Sequence, residues 1–405
     1  MTIEIKPLKD DYQFSDYQNP TNYQNTKIEL ATRLFSDGRI SIEEAAHISN
    51  HDPQQLEKYF KTQNIIPKKR LLVCGGAGFM GSYFIKYMLK NHPHIQIINY
   101  DKLTYAGNLD NLREIEKDPR YIFIRGDIID KEYLNKIIDR YSIDYIINYA
   151  AESHVDRSIL EAMDFLKSNI QGVHTLLEIV TQHNIPFIQI STDEVFGEIE
   201  NGKFTEEHPF RPNNPYSASK AAGDLLCRAY HKTHKTPVIV THSCNVVGPY
   251  QFPEKLVAGF IITLLNNKKV TIHGDGRNIR EWIYVEDHAR ATEFIMENGM
   301  TGSVYNIGTG YEKSNIEITE QLLARLNKDR VFIDYVPNRK GNDLRYAIDS
   351  TKLNELGWYP KFNFEEMLDA SVSWYSNNEW WWKPILSGEH EKKSEQPYHS
   401  AYRED

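Results

Sequence analysis

Six short runs rich in β-branched residues recur along one part of the chain, at Arg70–Cys74, Gln96–Tyr100, Tyr121–Ile124, Tyr145–Tyr149, Phe187–Ser191 and Val238–His242. Amphipathic stretches separate most of them, for example Tyr133–Arg140 and Phe165–Gln182. A chain that alternates strand and helix in this way has few ways to fold. Each helical connection returns the chain to the same end of the sheet, so the strands run parallel with helices on both faces. The expected fold class is α/β, a doubly wound parallel sheet. After Pro249 the rhythm loosens into longer loops, which predicts a smaller, partly interleaved C-terminal lobe.

The first run opens into a turn that carries Gly75, Gly78 and Gly81 at a three-residue spacing before a helical stretch. Between a strand and a helix, such glycines let backbone N–H groups meet a pyrophosphate at the helix N-terminus. The second run closes at Asp101, twenty positions beyond Gly81, where an acid reaches a ribose hydroxyl. A carboxylate there repels a 2′-phosphate, which favours NAD over NADP. Asp127 follows the third run and Asn148–Ser153 the fourth, as walls around adenine and ribose. These features agree on a Rossmann-type dinucleotide site.

The stretch from Gln189 to Lys220 holds the candidate chemistry. A buried strand ends at Ser191, and Thr192, Asp193 and Glu194 follow directly. Pro215 suits the first position of a helix that would set Tyr216 and Lys220 four residues apart on one face. An ammonium beside a phenol favours the phenolate, making Tyr216 a candidate base for a sugar or alcohol hydroxyl. Hydroxyl oxidation accounts for Tyr216, Lys220 and Thr192 but not for two further carboxyls. Two carboxyls in different environments can divide acid and base roles, which suggests an elimination and a course of oxidation, elimination and reduction.

Composition bounds the setting. Of 405 residues, 40% are hydrophobic and 25% charged, as in a soluble globular protein. The net charge of −9 argues against nucleic acid, so an anionic substrate needs a local basic pocket. Cys74, Cys227 and Cys244 are far apart and odd in number, which suits a reducing cytoplasm. Fifteen histidines show no metal spacing, no leader pattern opens the chain, and Leu256–Leu265 is too short to span a membrane. Residues 1–26 read as a disordered polar tail, 27–64 as a small helical module, 69–248 as the dinucleotide domain, 249–386 as a substrate lobe and 387–405 as a mobile charged tail. The helical module carries about as many acids as bases, and it reads as a docking or oligomerisation unit rather than a DNA reader. The run Trp380-Trp381-Trp382 reads as packing, and His154 as structural or gating as readily as catalytic.

From about Lys69 to Leu386 the chain resembles the dTDP-glucose 4,6-dehydratase family of extended short-chain dehydrogenases/reductases. The resemblance rests on the blocks at Tyr100–Asn108, Ala150–Ile159, Ser191–Glu198, Tyr216–Asp224, Gly248–Leu256, Gly274–Ala291, Tyr305–Gly310 and Arg345–Leu353. Thr192-Asp193-Glu194 together with Tyr-x-x-x-Lys is the dehydratase pattern. The resemblance implies that Tyr216 takes the proton of the sugar 4-hydroxyl with Lys220 and Thr192 assisting, Glu194 removes the carbon-5 proton, and Asp193 protonates the departing 6-hydroxyl. It further implies NAD contacts at Gly75, Gly78, Phe79, Met80, Gly81, Asp101, Lys102, Thr104, Gly107, Asp127, Ile128, Ala150, Ala151, Ser153, Tyr216, Lys220 and Asn245. Substrate contacts are implied at Ser153, Thr192, Asn245, Lys255, Leu256, Arg280, Asn342 and Arg345, the arginines suiting a diphosphate. A nucleotide-diphosphate sugar is the implied substrate and a homodimer the implied assembly.

The chain departs from the family pattern at His242-Ser243-Cys244-Asn245-Val246-Val247, where Arg-x-Ser-Asn-Asn-Tyr is usual, and at Gly341-Asn342-Asp343-Leu344. A UDP-sugar or another hexose therefore stays open as substrate. So do a 4-epimerase or decarboxylase on the same fold, which Asp193 argues against, and an NAD-sensing DNA-binding regulator.

Overall fold

The structure, a computed structural model, describes residues 20–38, 40–63, 68–338 and 341–390, with side chains from Lys27 onward. The chain divides between Lys69 and Arg70 into two compact units.

The first unit holds three helices, Pro20–Ser36, Ile42–Ser49 and Pro53–Thr62. Residues 1–19 of the expected polar tail lie outside the described residues. Residues 20–26 are helical rather than disordered, because the helix that buries Ala31 runs back unbroken to Pro20, a residue suited to a first turn. The second helix starts in a capping box: Ser41 Oγ accepts the Glu44 N–H and the Glu44 carboxylate accepts the Ser41 N–H at 2.8 Å. Asp52 caps the third by accepting the N–H groups of Gln54 and Gln55, with Pro53 first in the helix. Ala31, Ala45, Ala46, Leu56 and Phe60 form the core of this unit.

The second unit contains twelve strands among the described residues: β1 (Lys69–Cys74), β2 (Ile95–Asp101), β3 (Tyr121–Arg125), β4 (Tyr145–Asn148), β5 (Phe187–Thr192), β6 (Val238–Ser243), β7 (Asn245–Val247), β8 (Val270–His273), β9 (Ile279–Tyr284), β10 (Val304–Ile307), β11 (Glu312–Ser314) and β12 (Ile333–Val336). Seven form one parallel sheet in the order β10-β6-β5-β4-β1-β2-β3. The order reverses beside β1, and ligands of open α/β sheets bind outside the strand ends at such a reversal. The doubly wound α/β class is as the sequence predicts, and each of the six expected strands is in register with its neighbours. Strands β1 and β4–β6 are buried on both faces, which encloses polar Gln189, Thr241 and His242 along with the apolar positions.

Two apolar clusters flank the sheet. One contains Phe84, Ile85 and Met88 of helix Phe79–Asn91, and the other Leu176, Ile179 and Val180 of helix Val173–His183. Beyond β6 the chain builds two small sheets, β11-β9-β7 and β12-β8, and sends β10 back into the main sheet. The C-terminal helix, Glu379–Ser387, buries Trp381 and Trp382 and leaves Trp380 partly exposed. Sequence placed residues 387–390 in a mobile tail. They are ordered instead, because Gly388 closes the helix in the left-handed region and His390 is buried against Phe252. The remainder of that tail lies outside the described residues.

Candidate active site

The turn after β1 is built for close approach. Gly75 has φ +74°, and a Cβ there would lie 2.4 Å from the Ala150 nitrogen, so only glycine fits. Gly78 caps helix Phe79–Asn91 without a side-chain bond, leaving first-turn N–H groups open to an anion. The cleft beyond it is lined by Gly75, Gly78, Asp101, Lys102, Thr104, Gly107, Asp127, Ile128, Ala150 and Ala151. A contiguous cleft of about 250 Å³ continues past Phe79, Met80, Gly81 and Ser153 to Thr192, Glu194, Tyr216, Lys220 and Asn245. Every residue assigned to the cofactor from sequence therefore faces one continuous groove across the strand ends. Asp101 holds the groove's shape as well as facing it: its carboxylate accepts the Ala77 N–H at 2.8 Å and the Leu103 N–H at 2.7 Å. Lys102 pairs with Asp127 at 2.7 Å across the same wall. The glycine cradle, the open helix end and the carboxylate at β2 fit a dinucleotide.

Ser153, Glu194, Asn245 and Lys255 also line a second cleft of about 280 Å³, with Leu256, Arg280 and Asn342. Glu194 thus stands where the two clefts meet. The Arg280 guanidinium lies 4.3 Å from the Tyr346 ring centroid and donates to the Asp343 carbonyl at 2.9 Å. Lys255 Nζ donates to the Ser153 carbonyl at 2.8 Å. A larger cavity of about 490 Å³, behind helix Pro215–His234, contains none of the expected site residues.

Thr192 ends β5 and caps a short 3₁₀ turn made of Asp193–Phe196. Its hydroxyl donates to Asp193 Oδ1 at 3.2 Å and accepts the Glu194 N–H at 3.3 Å. Asp193 is 2% exposed, and its Oδ2 has no hydrogen-bond partner. Burial, with the carboxylates of Glu194 and Glu281 nearby, holds Asp193 well above the ordinary carboxylate range, against the pull of Arg280 and the Thr192 hydroxyl. Burial also raises Glu194, opposed by Arg280, Lys255 and the Asn214 amide.

Two placements differ from expectation. Tyr216 and Lys220 share a helix face, but Lys220 Nζ donates to the Ile190 carbonyl at 2.7 Å. Burial raises the Tyr216 phenol and Glu194 raises it further, while a hydrogen bond with Thr192 pulls it down; burial lowers Lys220. Burial thus works against the phenolate, and Thr192 works for it. Arg345 does not line the substrate cleft. Its guanidinium is held by Glu312 through two bonds of 2.6 and 2.9 Å and by the Gly202 carbonyl, its backbone bridge to Ile279 of β9 setting it beside β11.

Residues that sequence reasoning missed support this site. Asn169 accepts the Glu152 N–H and donates to the Glu152 carbonyl and Ser219 Oγ, tying the cofactor wall to the Tyr216 helix. Glu281, fully buried, accepts the N–H groups of Thr309, Gly310 and Ile348 and sets the charge around Asp193. Asn169 carries no local sequence signal, whereas Glu281 lies inside the Gly274–Ala291 block. Tyr346 and Gln251, which also line the substrate cleft, lie inside or beside blocks quoted above and could have been found there.

The profile of the GDP-mannose 4,6 dehydratase family matches residues 72–371. A dTDP-glucose 4,6-dehydratase of Streptomyces griseus is 46% identical over 320 residues, 78% of this chain and 97% of its own. The low-salt glycan biosynthesis protein Agl12 of Haloferax volcanii is 48% identical over 306 residues, 75% of this chain and 98% of its own. Among solved structures, the dTDP-glucose 4,6-dehydratase of Streptomyces venezuelae, with NAD bound, superposes with a TM-score of 0.76 at 44% identity, covering 78% of this chain and 99% of that one. The chain belongs to the dTDP-glucose 4,6-dehydratase family. Crystal structures of UDP-glucose 4-epimerases share the fold at lower identity, 30% for the enzyme of Thermotoga maritima with a TM-score of 0.71.

Proposed function

We propose that the protein converts dTDP-glucose to dTDP-4-keto-6-deoxyglucose, with the sugar in the cleft lined by Arg280 and Lys255 and NAD in the groove beyond Gly75. As a member of its family the protein is an enzyme, a hydro-lyase of the short-chain dehydrogenase/reductase group that uses NAD. The observation that carries the reading is the position of Glu194, which lines both clefts beside the buried Asp193, whose hold on a proton is raised. An oxidation alone has no use for that pair.

NAD, when bound, takes a hydride from carbon 4 of the sugar and later returns it to carbon 6. Tyr216 accepts the proton of the 4-hydroxyl as the phenolate, a form that its burial opposes and that the positive charge of bound NAD would favour, with Thr192 beside it in the groove. The resulting ketone acidifies carbon 5, and Glu194 takes the proton there and gives it back to carbon 5 when hydride is added at carbon 6. Asp193, whose hold on a proton its burial strengthens, donates to the departing 6-hydroxyl, which leaves as water. Arg280 supplies a planar fork for the diphosphate and Lys255 a point charge. Arg345, held by Glu312, takes no part in substrate binding on this reading.

A homodimer in the cytoplasm completes the proposal. Ile159, Leu160, Met163, Leu166 and Leu225 are exposed apolar residues on helices that contact one another beside the site, a surface suited to a second copy. The three cysteines are buried thiols, as a reducing compartment permits.

Incubation of the purified protein with dTDP-glucose or UDP-glucose, followed by proton NMR, tests the function. The expected result is a carbon-6 methyl signal, arising faster from dTDP-glucose. A 6-hydroxymethyl retained in both tubes overturns the dehydratase assignment, and a faster UDP-glucose reaction reassigns the base.

A further inference from the structure

The C-terminal segment lies outside the matched profile, which ends at residue 371, yet two of its side chains reach the cofactor groove's framework. The indole N–H of Trp381 donates to Asn111 Oδ1 at 2.7 Å, and the Asn111 amide donates to the Ala77 carbonyl at 2.9 Å. Ala77 is the residue between Gly76 and Gly78 in the glycine turn, and its own N–H goes to Asp101. One polar chain therefore links the C-terminal helix to the turn that faces the pyrophosphate and to the carboxylate that faces the ribose. Trp381 and Asn111 are each only 2% exposed, so these bonds face little competition from water.

A second contact arrives independently. His390 is 6% exposed, and its Nε2 bonds the Tyr105 carbonyl at 3.0 Å, so Nε2 is the protonated nitrogen. Its ring centroid lies 5.7 Å from that of Phe252. Ala106 and Gly107, which follow Tyr105, line the groove, and so does Phe252. The loop begins under strain, with Leu103 in the left-handed region at φ +58°.

We infer that Trp381 and His390 form a C-terminal clamp that holds the glycine turn and the Asp101–Gly107 loop in their cofactor-binding shape, so that NAD is retained from one turnover to the next. Both are positioning residues that touch the binding loops and their supports. The inference rests on the proposed function, in which NAD is regenerated in place and gains nothing by leaving. Opening either loop requires breaking a buried bond, and the clamp therefore acts on the rate of release.

The test uses Trp381→Phe, which keeps most of the packing and removes the indole donor, and His390→Ala, which removes the imidazole donor to Tyr105. Each holoenzyme is loaded with NAD, and dissociation is followed by protein fluorescence after dilution into a competing excess of NADH. One lost buried hydrogen bond corresponds to release faster by about fivefold in each variant. His390→Gln, which can still donate to the Tyr105 carbonyl, is expected to recover much of the loss. The single-turnover rate of the loaded enzyme and the KM for the sugar nucleotide are expected to stay as in the wild type. Release at the wild-type rate in both variants overturns the clamp while leaving the function intact. A wild-type chain that binds no NAD overturns the functional reading and the clamp together.

Discussion

Asp193 shows how far a residue's type and its role are set by different parts of the chain. The sequence displays Thr192, Asp193, Glu194, Tyr216 and Lys220 as a set, and the structure gathers Thr192, Glu194, Tyr216 and Lys220 on one groove with Asp193 just behind. Their proton affinities could not be read from that set. They depend on Glu281 and Arg280, from a strand almost ninety positions away, and on the depth of burial. Arg345 is a similar case: its capture by Glu312, 33 positions earlier, has no local signal. Asp193→Asn is expected to leave carbon-4 oxidation in place, visible as reduced cofactor at 340 nm, and to slow water loss on the order of a hundredfold or more. It should also change stability in a set direction. Because the folded carboxyl is raised, its contribution is fully present below the unfolded carboxylate pKa and is lost as pH rises through the folded value. Asp193→Asn should therefore raise Tm at alkaline pH and make little difference at pH 3, which paired thermal melts would read. Glu194 must be ionised to act as the base, and its raised affinity moves the acid limb of the pH–rate profile above the ordinary carboxylate range. An acid limb at the ordinary value would contradict its assignment.

Elements were legible where one period ruled the local sequence. The six strands come from β-branched runs, and helix Pro215–His234 from its first-turn proline, to which the structure adds an Asn214 cap. The segment Phe165–Gln182 reads as one amphipathic helix, but the structure inserts a π-helical turn at Lys167–Gly172. A hydrophobic period does not report one extra residue in a turn, so the insertion was invisible. Its effect is to aim Asn169 at both Glu152 backbone groups and at Ser219, beside Lys220. Turns of this kind recur at functional sites because they redirect one side chain without ending the helix. Asn169→Leu, close in size, would leave the Glu152 N–H and carbonyl without that partner. The expected cost is about 2 kcal/mol of stability. A weaker NAD affinity should accompany it, since Glu152 lines the groove; NAD titration and a denaturant melt would measure the two effects. Unchanged affinity alongside lost stability would confine Asn169 to a structural role.

At the scale of the whole molecule, the catalytic unit accounts for the matched relatives almost end to end. The Streptomyces griseus and Haloferax volcanii proteins are covered over 97% and 98% of their own lengths while 78% and 75% of this chain is used. The family profile begins at residue 72, just past the division at Lys69. What precedes it has its own core of Ala31, Ala45, Ala46, Leu56 and Phe60, its own capping box and its own Asp52 cap. A group of helices with an internal core and caps can hold its shape without lending residues to a neighbour, and the cofactor and substrate clefts draw every lining residue from positions 75–346. Catalysis and the presence of the helical unit should therefore be separable. A chain beginning at Lys68 is expected to fold, to carry NAD and to keep kcat/KM for the sugar nucleotide within about twofold of the full chain, as independent domains do. Steady-state kinetics together with cofactor content distinguish the outcomes. A tenfold or larger fall in kcat/KM with NAD still bound, beyond the ~2-fold allowed to independent units, would mean that the helical unit acts on the substrate side. Loss of NAD with an unchanged melt would place its influence on the dinucleotide groove.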